Sequence, residues 1–460
     1  MHHSNAPYTS TTNACKLCKP LGACLAFRGI EGAVPFLHGS QGCATYMRRY
    51  VISHFREPMD IASSSLGEKH AVYGGEANLK QGLRNVMHKY EAKLVGVATT
   101  CLTETIGDDV PMILKAFRRE MEESGVGSSL PALVSVSTPS YSGAHMEGFH
   151  GAVRAVVDQF TGDPEVLPPR ENRVNLLPGF VSPADTRYLR EILDDFGVES
   201  VILPDISETM DGPAMEDYAK IPGGGTAIED IRSMGGSRCT LELGRTIMGT
   251  DTAGRLLRER CGVPLHGMGT PIGLRESDVF FSTLKCTLQR KIPRKHTLER
   301  GRLVDAYVDA HKYVFGKKVV VFGEEDLVVG LTAFLAEIGA VPVLCASGGE
   351  SGRFRECIEG VTSGILSPSP EVREGMDFYD IAEEAESLSP DLLIGHSKGF
   401  HLAKRLGIPL IRVGFPIHDR FGGQRILHLA YRGTQNLLDR VVNALLEKKQ
   451  EDSPVGYGYM

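Results

Sequence analysis

Cysteines in three short segments near the start of the chain are the residues best suited to chemistry. Cys15 and Cys18 form a C-x-x-C pair, and Cys24 follows in the segment CKLCKPLGAC. Such a pair alone is typical of a thiol redox motif or a zinc knuckle. A zinc knuckle would ordinarily add a second C-x-x-C or a spaced His pair, which the sequence lacks. Zinc is therefore disfavoured here.

Two further cysteines, Cys43 and Cys101, occur in contexts that suit a metal–sulfur group. Cys43 ends the segment HGSQGC, where two glycines allow close approach of the backbone and N–H groups could hydrogen-bond to sulfide. Cys101 follows a predicted strand, Leu94 to Thr99, and open α/β sheets bind ligands at the carboxyl ends of strands. Both thiols are expected to be ligands.

The other cysteines call for a different interpretation. Free cysteine is most often a small buried hydrophobe. The later thiols have no glycine loop or thiol partner, so we expect core positions for Cys239, Cys261, Cys286, Cys345 and Cys357. For Cys15 and Cys24 both interpretations stay open, because only one of the first three cysteines need be a ligand.

The elements that position these residues alternate between short apolar segments and amphipathic helical segments, which predicts parallel sheets with crossover helices. The predicted strands are Leu94 to Thr99, Leu133 to Val136, Arg173 to Leu177, Val201 to Leu203, Val319 to Phe322, Val341 to Leu344, Leu392 to Ile394 and Leu410 to Val413. Predicted helices include Pro111 to Glu123, Asp185 to Phe196 and Thr434 to Lys449. We expect a doubly wound α/β fold, repeated along the chain.

The length of 460 residues predicts about three domains. We place them at 1–170, with the candidate ligands, at 171–300, and at 301–460, which ends in a helix. The polar stretch Thr161 to Glu171 and the basic stretch Lys285 to Arg302 are predicted linkers.

Composition narrows the classes of function. Hydrophobic residues are 42% and charged residues 23%, close to the norm for soluble proteins, so the chain is expected to fold. The net charge of −7, without a dense basic block, argues against a nucleic-acid partner. No signal peptide and no apolar run of about 18 residues is present, which predicts a cytoplasmic protein without a membrane partner. In that compartment the ten cysteines are expected to be reduced.

Several segments, in order, resemble those of a known family. They are KLCKPLGA, FLHGSQGC, SHFREP, YGGEANLKQGL, ATTCLTETIGDDV and STPSYSGAHMEGF, followed by PGGGTAIEDI, LHGMGTPIGL and LIRVGFPIHDR. The chain resembles the β-type members of the nitrogenase component 1 superfamily over nearly its whole length. The order of HGSQGC and TTCxxExxGDD is highly specific. The resemblance implies three doubly wound, Rossmann-like domains with parallel sheets.

The resemblance also implies the site residues. The metal ligands would be Cys18, Cys43 and Cys101, and Ser140, in the segment TPSY, would lie near the cofactor. In this family the matching cysteines hold an iron–sulfur cluster at a subunit interface. Because iron sites in such clusters need thiolate coordination all round, a second subunit must supply the other ligands. For Ser140 a role as a turn residue beside proline stays open.

Two functions within this family fit the sequence. One is the β-type subunit, NifN, of the scaffold on which the iron–molybdenum cofactor is assembled, and the other is the β chain of the molybdenum–iron protein. The tail from GFPIHDRFGG onward, the segment PDISETMDGP and the lack of a long N-terminal arm favour the scaffold. The complete set of three cysteines favours the catalytic β chain. We prefer the scaffold, without substrate turnover of its own.

The scaffold interpretation implies a 4Fe–4S cluster at the interface, with Cys43 as the leading ligand, and the alternative implies an 8Fe–7S P-cluster. The scaffold interpretation also implies a NifE-like α-type partner in an α2β2-like heterotetramer. A precursor of the iron–molybdenum cofactor would be held transiently on the partner's side, and the nitrogenase iron protein would dock transiently. No catalytic residue is expected in this chain.

Polar residues beside the cysteines have structural and functional interpretations. His38 and Gln41 could hydrogen-bond to cluster sulfur or stabilise their own loop. The acidic residues after Cys101 are expected to cap the next helix: Glu104, Asp108 and Asp109.

Overall fold

The computed structural model describes residues 13–125, 127, 130–161, 168–217 and 219–455, and their strands form three parallel sheets. The strands are β1 (Ala33–His38), β2 (Ala62–Ser63), β3 (Leu94–Thr99), β4 (Ala132–Val136), β5 (Arg170–Leu177), β6 (Glu199–Ile202), β7 (Ser237–Leu243), β8 (Leu265–Met268), β9 (Lys318–Gly323), β10 (Val341–Ser347), β11 (Glu371–Arg373), β12 (Leu392–Gly395) and β13 (Leu410–Arg412). All pairings between them are parallel. The predicted α/β class is confirmed.

The central strands of the sheets are buried on both faces. The strand orders are β2-β1-β3-β4 in the first sheet, β6-β5-β7-β8 in the second and β11-β10-β9-β12-β13 in the third. Helices cover both faces of such parallel sheets, so the central strands need continuous apolar sequence. All six residues of β3 are buried, and in β9 only Lys318 is exposed. This pattern made both strands recognisable in the sequence.

Helices connect the strands. They are α1 (Lys19–Arg28), α2 (Gln41–Phe55), α3 (His70–Tyr73), α4 (Glu76–Lys89), α5 (Cys101–Ile106), α6 (Val110–Glu123), α7 (His145–Phe160), α8 (Pro183–Asp195), α9 (Ile228–Arg232), α10 (Ala253–Cys261), α11 (Leu274–Leu288), α12 (Arg294–Val314), α13 (Glu325–Glu337), α14 (Phe354–Thr362), α15 (Phe378–Leu388), α16 (Phe400–Leu406) and α17 (Ala430–Glu451). The predicted helices correspond to α6, α8 and α17. Within the described ranges, none of the helices is long and apolar enough to cross a bilayer.

The two predicted linkers differ in outcome. The basic stretch 285–302 is wrong as a linker, because it contains the end of α11 and the start of α12. Of the stretch 161–171, residues 162–167 lie outside the described residues, and residues 170 and 171 begin β5. The three-domain division stays a prediction, and its border at residue 300 falls inside α12.

A short N-terminal segment, residues 13–17, joins the third sheet to the first, and we call it the clasp. The Cys15 N–H donates to the Met376 carbonyl at 3.2 Å, and the His145 N–H donates to the Leu17 carbonyl at 3.0 Å. Helix α1 then packs closely on α7, since a Cβ on Gly22 would lie 1.6 Å from the His145 carbonyl oxygen. The clasp therefore runs from the edge of the third sheet to the start of α1.

Candidate functional site

The three predicted ligands, Cys18, Cys43 and Cys101, all lie at the starts of helices. Cys18 is the residue before α1, Cys43 is the third residue of α2, and Cys101 is the first residue of α5. Helices α2 and α5 follow the paired strands β1 and β3, so both begin at the carboxyl edge of the first sheet. Each thiol therefore lies where the first N–H groups of its helix have no acceptor within that helix.

The three thiols and Ser140 lie close enough to influence one another. Burial raises the pKa of the Cys18 thiol, a hydrogen bond with the Ser140 side chain lowers it, and the charges of Cys101 and Cys43 raise it. Cys18 and Cys43 are half-buried, whereas Cys101 is exposed. The structure therefore brings the four predicted residues together at a surface, which we call the half-site.

Hydrogen bonds to sulfur and oxygen order the half-site. The Ser140 backbone N–H donates to Cys101 Sγ at 3.2 Å, and the Lys19 N–H donates to Ser140 Oγ at 3.3 Å. Ser40 Oγ lies 3.4 Å from Cys43 Sγ. Each of these contacts comes from a loop that follows a strand or precedes a helix. The polar groups of the half-site are therefore held by the ends of the secondary structure.

The donor set fits a polynuclear iron–sulfur group better than one metal ion. In the part of the chain that the structure describes, no group of three or more His, Cys, Asp or Glu side chains is arranged to hold a single ion. Thiolates are soft ligands that suit iron–sulfur clusters, and a cluster accepts ligands that are spread around it. The thiols of the half-site lie at the starts of three separate helices, from which they could reach such a group at different iron atoms.

The two glycines of the HGSQGC loop serve different purposes. A Cβ on Gly39 would lie 2.2 Å from Thr100 Oγ1, so this glycine lets the loop pack on the segment that carries Cys101. A Cβ on Gly42 would meet only Ser40 Oγ, at 3.9 Å, and Gly42 is exposed. The predicted close approach of a ligand to backbone is thus available at Gly42, whereas Gly39 is committed to packing.

His38 stabilises its loop. Its Nδ1 lies 2.9 Å from Ser64 Oγ and its Nε2 lies 3.0 Å from Asp108 Oδ2, so both ring nitrogens have protein partners. Asp108 also accepts the Gly75 N–H, at 3.0 Å. Burial lowers the pKa of His38. Of the two roles that the sequence left open, the structure assigns His38 the structural one, and Gln41 is exposed.

The acidic residues after Cys101 divide between two roles. Asp109 caps α6, because its side chain accepts the Met112 N–H at 3.0 Å, as predicted. Glu104 instead accepts hydrogen bonds from the Thr99 and Ser137 hydroxyls, at 2.5 and 2.6 Å. The capping prediction was therefore wrong for Glu104, which ties the end of β3 to the residue after β4. It was also wrong for Asp108, whose side chain contacts His38 and the Gly75 N–H instead of α6.

The other cysteines are mostly core residues. Cys15 and Cys24 are buried, and burial raises the pKa of Cys15 to about 12. The Cys15 thiol lies 3.6 Å from His396 Nε2, among side chains of the third sheet. The core prediction holds for Cys239, Cys345 and Cys357, whereas Cys261 is half-buried and Cys286 is exposed. Both lie on helix surfaces. Their core positions had been predicted only because no ligand motif surrounds them, and the lack of such a motif does not determine burial.

A cavity that the sequence did not reveal lies beside the half-site. Its volume is about 550 Å³, and it is lined by loops that follow strands of all three sheets. His145 is 5% exposed, and neither of its ring nitrogens has a hydrogen-bond partner among the described residues. Burial lowers the pKa of His145 to about 4 and raises the pKa of Glu324. Both shifts favour the neutral form of the side chain.

Comparisons with known proteins agree with this geometry. The family model for nitrogenase component 1 type oxidoreductases matches residues 18–446. The nitrogenase molybdenum-iron protein beta chain of Clostridium pasteurianum is 34% identical over 440 residues, covering 96% of this chain and 94% of the relative. The nitrogenase iron-molybdenum cofactor biosynthesis protein NifN of Bradyrhizobium diazoefficiens is 34% identical over 451 residues, covering 96% and 92%.

A solved structure shares the entire fold. The structure titled "Nitrogenase Cp1 at pH 6.5" superposes with a TM-score of 0.93 at 32% sequence identity, covering 100% of this chain and 98% of that one. The family model, the relatives and this structure all extend across most of the chain. The chain therefore belongs to the nitrogenase component 1 type oxidoreductase family, as a β-type member.

Proposed function

We propose that this chain holds half of an interfacial iron–sulfur cluster through Cys18, Cys43 and Cys101 and serves nitrogen fixation. The observation that carries the proposal is the meeting of these three thiols, each at a helix start, on one accessible surface. When bound, such a cluster stores and passes single electrons. The chain's own contribution is to supply thiolates, to orient them and to shield one side of the site.

A second subunit would complete the site. Three thiolates leave iron atoms of a larger cluster without ligands, so further thiolates must come from elsewhere. Exposed aromatic side chains flank the half-site: Tyr46 is 46% exposed and Tyr141 is 68% exposed. Tyrosine is enriched where protein surfaces meet. We assign this surface to a NifE-like α-type partner in an α2β2-like heterotetramer. The nitrogenase iron protein would dock transiently on that heterotetramer.

Ser140 would orient the thiols rather than bind iron. Its backbone N–H donates to Cys101 Sγ, and its side chain hydrogen-bonds with Cys18. Both interactions use Ser140 as a bridge between two ligands that are far apart in sequence. This role combines the two interpretations that the sequence left open, a turn residue and a residue beside the cofactor.

Within the β-type group we propose the scaffold function of NifN. The support is the resemblance of the tail and of the segment PDISETMDGP. In this function the cluster would be of the 4Fe–4S type, and a precursor of the iron–molybdenum cofactor would be held transiently on the partner's side. The second candidate is the catalytic β chain with a P-cluster, favoured by the complete set of cysteines and by the names of most of the similar relatives.

The decisive experiment is anaerobic co-purification with the cognate partner, followed by iron determination and an acetylene-reduction assay with mature cofactor and reductase supplied. About 4 Fe per pair, negligible reduction and maturation of an apo-nitrogenase are expected for the scaffold. About 8 Fe per pair with strong reduction would establish the catalytic β chain instead. A pair without iron would contradict the cluster itself.

A further inference from the structure

The cavity beside the half-site is lined mainly by acidic side chains. Its volume of about 550 Å³ lies within the range of small-molecule sites, about 300–1,000 Å³. Its acidic lining residues are Glu147, Asp251, Glu324, Glu325, Asp326 and Glu350. Among the described residues of its wall, Lys16 is the one Lys or Arg. The cavity therefore attracts cations and repels anions.

The acids at the mouth of the cavity have cation partners, whereas an acid in its interior has none. At the exposed mouth, Glu350 pairs with Lys16 at 3.5 Å and Asp251 pairs with Arg154 at 2.9 Å. Glu325 is only 6% exposed and forms no ion pair with any described Lys or Arg residue. Burial raises its pKa to about 7. Buried charges in proteins are ordinarily paired, so Glu325 lacks the cation that such a carboxylate requires.

His145 adds unused hydrogen-bonding capacity to the same cavity. Its ring lines the cavity and is 5% exposed, and neither Nδ1 nor Nε2 has a partner among the described residues. A neutral imidazole carries one acceptor nitrogen, which can accept an N–H group of a ligand. His145 begins α7, which follows the first sheet, whereas Glu325 begins α13 in the third. A ligand that satisfied both groups would therefore connect two walls.

We propose that the cavity binds a small organic polycation of the polyamine class. One ammonium group pairs with the Glu325 carboxylate, and an N–H group donates to the His145 ring. A single metal ion fits less well, because no three His, Cys, Asp or Glu side chains of the described residues are arranged to hold one. Ammonium groups joined by methylene chains can reach acceptors on separate walls. This binding needs no cluster and does not rest on the proposed function.

Two substitutions test the two contacts. Glu325→Gln removes the negative charge and keeps the size of the side chain, and His145→Leu removes the acceptor nitrogen. The matched control is Glu122→Gln, since Glu122 is exposed and does not line the cavity. Thermal unfolding of each variant identifies any that fail to fold. Glu325→Gln should fold at least as well as the parent chain, because it replaces a buried carboxylate without a cation partner, and it can decide the proposal alone.

The probe is spermidine, titrated into the full-length chain by isothermal calorimetry. A pH of 8 keeps Glu325 ionised, and about 0.15 M salt screens unspecific attraction by the net negative charge. We expect one saturable site in the parent chain. Glu325→Gln should weaken its affinity about tenfold or more, and His145→Leu about threefold to tenfold, because each removes a hydrogen bond to a charged group. Glu122→Gln should bind like the parent.

Three outcomes would overturn the proposal or one of its contacts. A parent chain without saturable binding, or equal affinity in Glu325→Gln, would refute the site. Unchanged affinity in a folded His145→Leu variant would refute the role of His145. Magnesium chloride is titrated in parallel. If the magnesium ion binds as tightly as spermidine and Glu325→Gln weakens both, the occupant is a metal ion and the polyamine class is wrong.

Discussion

The half-site and the neighbouring cavity lie near the same carboxyl edges of the sheets, yet their side chains differ in exposure. In the half-site, Cys43 is half-buried and Cys101 is exposed, and each lies in the first turn of its helix. In the cavity, burial lowers the pKa of His145 to about 4 and raises the pKa of Glu324, and both shifts favour the neutral side chain. Accessible thiols thus lie at the surface, whereas burial disfavours a charge on these two side chains of the cavity wall.

The largest expected effect follows from removing a thiol of the half-site. Cys43→Ala and Cys101→Ala should each lower the iron content of the co-purified pair to about a tenth or less, because an iron atom loses its ligand. Iron determination on the anaerobically purified pair measures this. Cys286→Ala is the matched control, since Cys286 is also exposed but has no thiol partner, and it should keep all of its iron. Full iron in both half-site variants would refute the ligand assignment.

A buried carboxylate in the first turn of α8 should matter for stability instead. Asp185 is 1% exposed and accepts the backbone N–H groups of His428 and Leu429, at 2.7 and 3.0 Å. Asp185→Ala leaves these donors unsatisfied and should lower the free energy of unfolding by about 3–5 kcal/mol. Urea unfolding measures it, with the exposed Asp217→Ala as a control that stays within about 0.5 kcal/mol. The folded Asp185→Ala variant should still bind iron. Loss of iron from this folded variant would contradict the distinction between a site that binds iron and a buried carboxylate that only stabilises the fold.

The neutral histidines should make the fold sensitive to acid. His145 has a folded pKa of about 4, below the usual 6.5, so the unfolded chain binds more protons between these values and stability falls as pH drops through that window. His145→Gln should remove a slope of up to about 1.4 kcal/mol per pH unit. Urea midpoints between pH 4 and 7 measure it. The exposed His88→Gln should leave the slope unchanged, and an unchanged slope in His145→Gln would contradict the burial argument.

The smallest expected effect is that of Ser140→Ala. The variant keeps the backbone N–H that donates to Cys101. It loses the hydroxyl that accepts the Lys19 N–H and hydrogen-bonds with Cys18. Stability should fall by about 1 kcal/mol, and the iron content should stay close to that of the parent. Iron determination on the Ser140→Ala variant, with Ser142→Ala as the control variant, tests this. Loss of most of the iron in Ser140→Ala alone would make Ser140 a ligand.

The sequence predicted those elements that a local pattern encodes. The strand 94–99 was predicted at its observed bounds, because its apolar residues are consecutive and buried on both faces. β1 and β7 were missed, since Pro35 interrupts β1, and Arg238 and Glu242 break the apolar run of β7. Buried parallel strands carry such residues where neighbouring loops and helices satisfy them, which depends on the tertiary structure.

The candidate site was predictable to the extent that its motifs are local. The glycine loop before Cys43 and the strand before Cys101 marked both thiols as candidate ligands, whereas Cys18 was assigned by resemblance. The cavity beside His145 and the contact of Lys398 with the clasp were not predicted, because each brings together residues that are distant in the sequence. Lys398 contacts a carbonyl group 384 residues earlier in the chain. No local pattern encodes such a contact.

The clasp also sets the order in which the half-site can be built during translation. The loops of Cys43 and Cys101 belong to the first sheet, which can form once about a third of the chain has left the ribosome. The partners of the clasp, Met376 and Lys398, emerge only near the end of synthesis. An incomplete chain therefore offers the early thiols without the fully anchored Cys18. The anchoring of Cys18 thus depends on residues that are among the last to be synthesised.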